Sequence, residues 1–401
     1  MHCVRKINED LYWIGAEDRR LELFENLFPI PNGVAYNSYL LLDEKTVLLD
    51  TVDYSVGRQF LENINYVLKD KKLDYLIVNH MEPDHCSLIE ELTYKYPEMK
   101  IICNMATTKM LKQFYNFDVD SKIQVVKEGD TINTGKHELQ FIMAPMVHWP
   151  EVMVTYDKTD KILFTADAFG SFGALNGNLF NDDINVTENW ISEARRYYTN
   201  IVGKYGPQVQ NLLKKAAGIE IKMICPLHGV IWRNNLETII EKYDKWSKYE
   251  PEEKGVVIIY SSVYGNTESV VTALANYLGE NNIKNIAIYD SSKTDISYLV
   301  AESFKYSNIV IAATTYNLGV FPKIANYLDD IRRLNLQNRK ISIIENSTWV
   351  PGIVTKEVTN ILSGMNNMEI LKNTFSIKSA AKDYEYENIK NIGNEIIKSC
   401  Q

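Results

Sequence analysis

His80-Met81-Glu82-Pro83-Asp84-His85 packs two imidazoles and two carboxylates into a single short string. It follows the apolar run Tyr75-Leu76-Ile77-Val78-Asn79, which reads as a buried strand ending in polar residues. Loops at strand ends are where a rigid scaffold presents chemistry. Further along, His148, Asp167 and His228 each stand where an apolar strand gives way to a loop, the last in Cys225-Pro226-Leu227-His228-Gly229. Four of the six histidines belong to this constellation, leaving only His2 and His137 outside it. A mixed imidazole and carboxylate set suits a first-row metal that changes oxidation state, such as iron or manganese, better than a thiolate-rich zinc site would. Seven candidate ligands exceed the needs of one tetrahedral ion, so the economical reading is two metals sharing a bridging carboxylate.

Around this core the first half of the chain reads as short strands, among them Ala35–Leu42, Thr46–Asp50, Lys100–Cys103, Gln140–Met143, Met153–Asp157 and Ile162–Ala166. Helical stretches interleave with them, at Val56–Leu68, Thr107–Phe114, Glu188–Tyr205 and Val209–Ala217. Two mixed sheets covered by helices fit this pattern better than one parallel sheet. Near 247–255 the grammar changes at a short charged stretch carrying Pro251 and Gly255, which reads as a linker. Beyond it come Val256–Tyr260, Asn285–Tyr289, Ile309–Ala313 and Lys340–Ile344, apolar strands of the kind buried on both faces. The helical segments Glu268–Glu280, Lys323–Leu334 and Val354–Met365 follow or separate them, giving a doubly wound sheet. The expected division is therefore residues 1–250 and 255–401. At 401 residues the chain is long enough for two cores.

A formal net charge of −9 argues against nonspecific nucleic-acid binding, which needs a basic surface. No apolar run approaches the ~20 residues of a membrane span, and the start of the chain lacks the apolar stretch of a signal peptide. The five cysteines form no C-x-x-C pair, so they read as reduced thiols of a cytoplasmic protein, with no rubredoxin or iron–sulfur module.

In the second half, Tyr260-Ser261-Ser262-Val263-Tyr264-Gly265-Asn266-Thr267-Glu268 stands where a buried strand feeds a helix. Hydroxyls, a glycine and the free N–H groups of a helix start make a phosphate cradle. The Gly-Lys-Ser/Thr ending of a P-loop and the G-x-G-x-x-G of a dinucleotide turn are both absent, which favours a monophosphate such as FMN. Two later strand ends, Thr314-Thr315-Tyr316-Asn317-Leu318-Gly319 and Asn346-Ser347-Thr348-Trp349, place an aromatic among small polar residues. A flat flavin ring needs such contacts, with Tyr316 and Trp349 as ring neighbours.

The motif resembles the H-x-H-x-D-H…H…D…H pattern of the metallo-β-lactamase fold, with Glu82 in place of the second histidine of the zinc hydrolases. That variant resembles the flavodiiron proteins, and the resemblance covers the chain from near residue 36 to its end. It implies an N-terminal metallo-β-lactamase-like αββα sandwich followed by a flavodoxin-like doubly wound parallel sheet. It further implies two iron ions, with His80, Glu82 and His148 on one, Asp84, His85 and His228 on the other, and Asp167 between them. Tyr197, in Glu193-Ala194-Arg195-Arg196-Tyr197-Tyr198, matches a family stretch that supplies a tyrosine behind the ligands. Glu25 stands where many relatives carry a pocket histidine.

The implied activity is reduction of dioxygen to water, of nitric oxide to nitrous oxide, or of both. Electrons would pass from an external rubredoxin or rubredoxin-type reductase through FMN to the diiron site. The resemblance also implies a head-to-tail homodimer, possibly paired into a tetramer. Two other readings keep the fold: a zinc-dependent hydrolase with a fused flavodoxin, and an electron-transfer flavoprotein whose metal site is structural.

Overall fold

The computed structural model describes residues 1–186 and 188–401. Packing divides these into two compact units, one comprising Met1–Tyr198 with Pro207–Tyr243, the other Thr199–Gly206 with Asp244–Gln401. Among the described residues no helix is long and apolar enough to cross a membrane.

The first unit is a sandwich of two mixed sheets. One has seven strands, in the spatial order Arg5–Lys6, Leu11–Trp13, Tyr39–Leu42, Thr46–Leu49, Tyr75–Ile77, Lys100–Cys103, Ile123–Val125. The other has five: Thr131–Asn133, Glu138–Met143, Met153–Asp157, Ile162–Phe164 and Met223–Cys225. Tyr39 joins the sheets, its ring 5.3 Å from that of Phe164 and its hydroxyl donating to the Pro226 carbonyl at 2.6 Å. Helix Gly57–Leu68 covers the structure by turning Phe60, Ile64, Val67 and Leu68 inward, the i, i+4, i+7 stripe its sequence carries.

The structure departs from the sequence expectations in three places. The run Ala35–Leu42 is two strands, because Val34–Tyr36 pairs with Ala16–Asp18 while Tyr39–Leu42 enters the large sheet. The expected helix Glu188–Tyr205 ends as an α-helix at Tyr197, continuing as a wider π turn over Tyr198–Val202 and a tight turn over Gly203–Tyr205. Helices Ile296–Lys305 and Tyr386–Cys400 had no counterpart in the sequence reading.

His137, outside the metal constellation, staples the tip of one hairpin. Its Nδ1 lies 2.8 Å from Asp157 Oδ2 and its Nε2 lies 3.2 Å from Asp10 Oδ2, with Lys136 also on Asp10. Burial opposes charge on this imidazole, but Asp157, then Asp10 and the nearby Asp160, outweigh it and hold the group up at about 9. A raised folded pKa contributes stability that is complete below the unfolded value near ~6.5 and is lost as pH rises through about 9. Asp10 is 25% exposed and screened by water, so the contribution is about 1–2 kcal/mol. His137→Asn should therefore destabilise the protein more at pH 6 than at pH 9.5 in urea titrations. Equal penalties at the two pH values would show that the ion pairs contribute nothing.

The second unit has one five-position parallel sheet in the order Ile286–Asp290, Glu253–Tyr260, Tyr306–Tyr316, Arg339–Asn346, with Met368–Ile370 and Phe375–Ile377 sharing the last place. Alternation along the second of these explains the layers. Val257 and Ile259 join the core of helices Ile296–Lys305, Pro322–Arg333 and Ile353–Ser363 on one face. Val256, Ile258 and Tyr260 join that of helices Asn266–Glu280 and Tyr386–Cys400 on the other. Both faces of the central strands being covered, their middles are apolar runs, as in Val256–Tyr260 and Ile309–Ala313. The strand order reverses between Glu253–Tyr260 and Tyr306–Tyr316, and ligands bind at the carboxyl ends of strands at such a point.

Candidate metal centre and cofactor cavity

The motif is bolted to both sheets before it begins. Asp50, at the end of strand Thr46–Leu49, accepts the N–H groups of Asn79 (2.7 Å) and His80 (3.2 Å) on one oxygen and the Asn79 side-chain amide (2.8 Å) on the other. Asn79 in turn accepts the hydroxyl of Thr155, in the opposite sheet, at 2.7 Å. Beyond His80 the expected loop is one turn of helix, Pro83–Cys86, with Glu82 at its N-cap and Pro83 at the first helical position. Proline suits that position because its φ is already helical and its missing N–H would be unbonded anyway. The turn carries Asp84 and His85 side by side.

Seven side chains converge in two groups, His80, Glu82, His148 and Asp167 in one and Asp84, His85 and His228 in the other. His148 Nε2 lies 3.0 Å from both Glu82 Oε2 and Asp167 Oδ2, and His80 Nε2 lies 3.3 Å and 3.5 Å from the same two oxygens. On the other side, Asp84 Oδ2 is 3.3 Å from His85 Nε2 and 3.2 Å from His228 Nε2. Asp167 presents its second oxygen, Oδ1, to His85 Nε2 at 3.1 Å. One carboxylate thus faces both groups, one oxygen to each.

Electrostatics say what this set needs. Burial opposes charge on His80, His148, Glu82 and Asp167, yet the carboxylates push His148 up to about 9 and His80 well above its ordinary value. Reciprocally, the imidazoles hold Glu82 and Asp167 well below the carboxylate range despite burial. The cluster demands positive charge, from shared protons or from cations. His85 Nε2 and His228 Nε2 face each other at 3.0 Å, where two lone pairs repel unless something positive lies between them. Both Asp84 oxygens and Asp167 Oδ1 are buried with no hydrogen-bond partner. Oxygen and imidazole donors in this number fit a pair of iron or manganese ions.

Outer groups orient the ligands. Glu151, fully buried, takes His80 Nδ1 at 2.8 Å and the Met81 N–H at 2.8 Å, and the Ala35 carbonyl takes His228 Nδ1 at 2.9 Å. Such partners fix which ring nitrogen faces a metal. Nothing in the sequence marks Glu151 as a partner of His80, although it stands three residues after His148; only the fold brings the two together. Tyr197 is fully buried with its ring 5.4 Å from that of His228, and its hydroxyl has no partner. Tyr198 instead packs on Tyr243 at 4.9 Å. Trp149 stands edge-on to His80, 5.4 Å between ring centres. Glu25 belongs to a solvent-exposed turn, but its carboxyl end is crowded by protein and by Glu82, which together push it up to about 8.

In the second unit a cavity of about 690 Å³ opens at the strand ends. Ser262, Val263, Tyr264, Asn266 and Thr267 line it from the first turn, Thr314, Thr315, Tyr316 and Asn317 from the second, and Asn346, Ser347, Thr348 and Trp349 from the third. Three expected residues do not line it. Ser261 is buried, its hydroxyl accepting the Thr314 N–H at 3.4 Å. Gly265 is the left-handed N-cap of helix Asn266–Glu280, at φ +89°, and contributes conformation only. Gly319 closes a two-residue hairpin: the strand runs on to Tyr316 and folds back through Asn317 and Leu318, both at positive φ. Leu318 and Ser379 line the cavity and were missed. A buried, unpartnered hydroxyl on Thr315, a helix N-terminus and the exposed rings of Tyr316 and Trp349 fit a flavin mononucleotide.

A β-lactamase-like sandwich bearing this carboxylate-rich cluster, continued by a flavodoxin-like sheet, defines a two-module redox class. Residues 34–229 match the family model described as ODP family beta lactamase. The anaerobic nitric oxide reductase flavorubredoxin of Escherichia coli is 30% identical over 360 residues, spanning 88% of this chain and 74% of that protein. Rubredoxin oxygen:oxidoreductase from Desulfovibrio gigas superposes with a TM-score of 0.91 at 30% identity, over 99% of this chain and 98% of that one. The flavodiiron protein from Giardia intestinalis superposes at 0.93 with 26% identity, over 99% and 96%. The chain belongs to the flavodiiron proteins.

Proposed function

We propose that this flavodiiron protein reduces dioxygen to water, nitric oxide to nitrous oxide, or both. Its electrons would come from an external rubredoxin or rubredoxin-type reductase. The observation that carries the reading is Asp167, whose two oxygens serve two separate sets of buried ligands. The names of the relatives support it: one is a nitric oxide reductase, another a rubredoxin oxygen:oxidoreductase.

Dioxygen takes four electrons and four protons to give two waters; two nitric oxides take two of each to give nitrous oxide and one water. Bound iron supplies reversible electron storage and Lewis acidity, and FMN takes up and passes on electrons singly. His80, Glu82, His148, Asp84, His85, His228 and Asp167 would hold the irons. Glu151 keeps His80 in one tautomer, and Tyr197 offers a buried hydroxyl as a hydrogen-bond donor. The mixed cluster keeps carboxylate charge among buried groups, where it would offset the positive charge of bound metal. Residues 1–250 would form the diiron domain and 255–401 the FMN domain.

The test is gas consumption by the iron- and FMN-loaded protein under one defined electron donor, with dioxygen and nitric oxide in separate runs. Consumption of either gas, with water rather than hydrogen peroxide as the dioxygen product, is the expected result. Slow reoxidation yielding peroxide, with no nitric oxide consumed, would mark the chain as an electron carrier instead.

A further inference from the structure

Three strand ends surround the cavity, and the fold brings a fourth segment to them. Strand Phe375–Ile377 runs parallel to Arg339–Asn346, with Ser376 opposite Glu345 and Ile377 opposite Asn346. Glu345 is fully buried, and four neutral donors hold its carboxylate. Ser376 gives its hydroxyl to one oxygen at 3.0 Å, and the Gly352 N–H reaches the same oxygen. Thr355 gives both its N–H (2.9 Å) and its hydroxyl (3.0 Å) to the other. Gly352 is the N-cap of helix Ile353–Ser363, so this one carboxylate ties together the end of a strand, the start of the next helix and the neighbouring strand.

The loop between those ties carries Ser347, Thr348 and Trp349. Its near end is held again by the Ser347 N–H on the Ile377 carbonyl at 2.9 Å. Asn346, nine-tenths buried, donates its amide to the Ser379 carbonyl (3.0 Å) and to the Thr267 hydroxyl (3.3 Å). Ser379 donates its own hydroxyl to that of Thr348 at 3.1 Å and lines the cavity. It sits at φ +69°, which few side-chain-bearing residues adopt. A strained residue bonded to two residues of one binding turn, Asn346 and Thr348, is held there by its surroundings.

We propose that segment 376–379 is a fourth wall of the flavin site, with Ser379 a further binding residue and Glu345 the positioning residue that locks this wall to 346–349. The inference rests on the reading that the cavity takes FMN. A pre-ordered loop binds more tightly because the cost of ordering it is met on folding and not on binding. Asn346 joins the turn that carries Thr267 to the turn that carries Trp349, and the wall holds Asn346 through the Ser379 carbonyl.

The experiment uses the full chain with Ser379→Ala and, separately, Glu345→Gln. FMN is titrated into each apoprotein by fluorescence quenching, and amide hydrogen exchange of 346–352 is followed with no flavin present. Ser379→Ala should weaken FMN binding at least about fivefold and Glu345→Gln at least about tenfold. The visible circular dichroism of the bound flavin should change shape in Ser379→Ala, which a remote loss of stability would not cause. Exchange at 346–352 should speed up in Glu345→Gln while iron content stays at the parental level. Parental FMN affinity within twofold in Ser379→Ala would overturn the fourth wall, and so would parental exchange in Glu345→Gln. Should Glu345→Gln fail to fold, the Ser379→Ala titration decides alone. An unmodified protein that takes up no FMN would overturn the functional reading itself, an outcome distinct from tight parental binding that Ser379→Ala leaves untouched.

Discussion

Asp167→Asn should leave the protein folded but unable to hold two irons, with turnover reduced at least about a hundredfold, since even partners outside the coordination sphere cost about 10–100-fold. The side chain keeps its shape and loses its charge. Asp167 is fully buried, and its two oxygens address the two ligand groups separately, so an amide nitrogen at one of them faces a cation it cannot bind. The metal-free variant carries a second signature. Without metal the imidazoles of His85, His80 and His148 hold Asp167 in its charged form, and removing one partner of a buried pair is destabilising. Metal analysis should fall from two irons per chain to less than one, and the melting temperature of the apo form should fall at neutral pH. Two irons retained with parental turnover would show that Asp167 does not bridge them.

Restored activity from two inactive parents is the second large effect expected. The ligand cluster and the cavity lie in separate compact units, and electron transfer at useful rates needs its two centres close together. A head-to-tail homodimer, itself able to pair into a tetramer, would set each flavin beside its partner's irons, and closed two-fold dimers are the commonest assemblies. One parent would lack FMN binding through replacement of Asn266 and Thr267, and the other would lack iron through replacement of His80 and Asp84. After subunit exchange about half the dimers are mixed, each with one working pair of centres, so roughly a quarter of parental activity should return. No recovery despite proven exchange would place electron transfer within a single chain.

The metal set was legible because ligands must be of few chemical types and lie at strand ends, and both conditions leave a mark in one dimension. His80, Glu82, Asp84 and His85 announce themselves by spacing, and His148, Asp167 and His228 by ending apolar runs. The strands of the second sheet were legible for a related reason: burial on both faces demands an unbroken apolar run, as in Val256–Tyr260. Helix Ile296–Lys305 left a mark of its own, Ile296, Leu299, Val300 and Phe304 recurring at helical spacing behind the Asp295 cap, although no helix was expected there.

The sequence by itself therefore marked the seven metal-ligand candidates and most of the cavity lining, and in which half of the chain each lies. Tertiary structure alone decided how they are held. Glu151 reaches His80 across seventy-one positions, and Asp50 reaches Asn79 across twenty-nine. Ser379 joins the cavity only because Phe375–Ile377 pairs beside Arg339–Asn346. A ligand is selected for its own chemistry and can be recognised by its type. A residue that orients a ligand needs only a donor or acceptor at the right place, which most polar residues can supply, and place is a property of the folded chain.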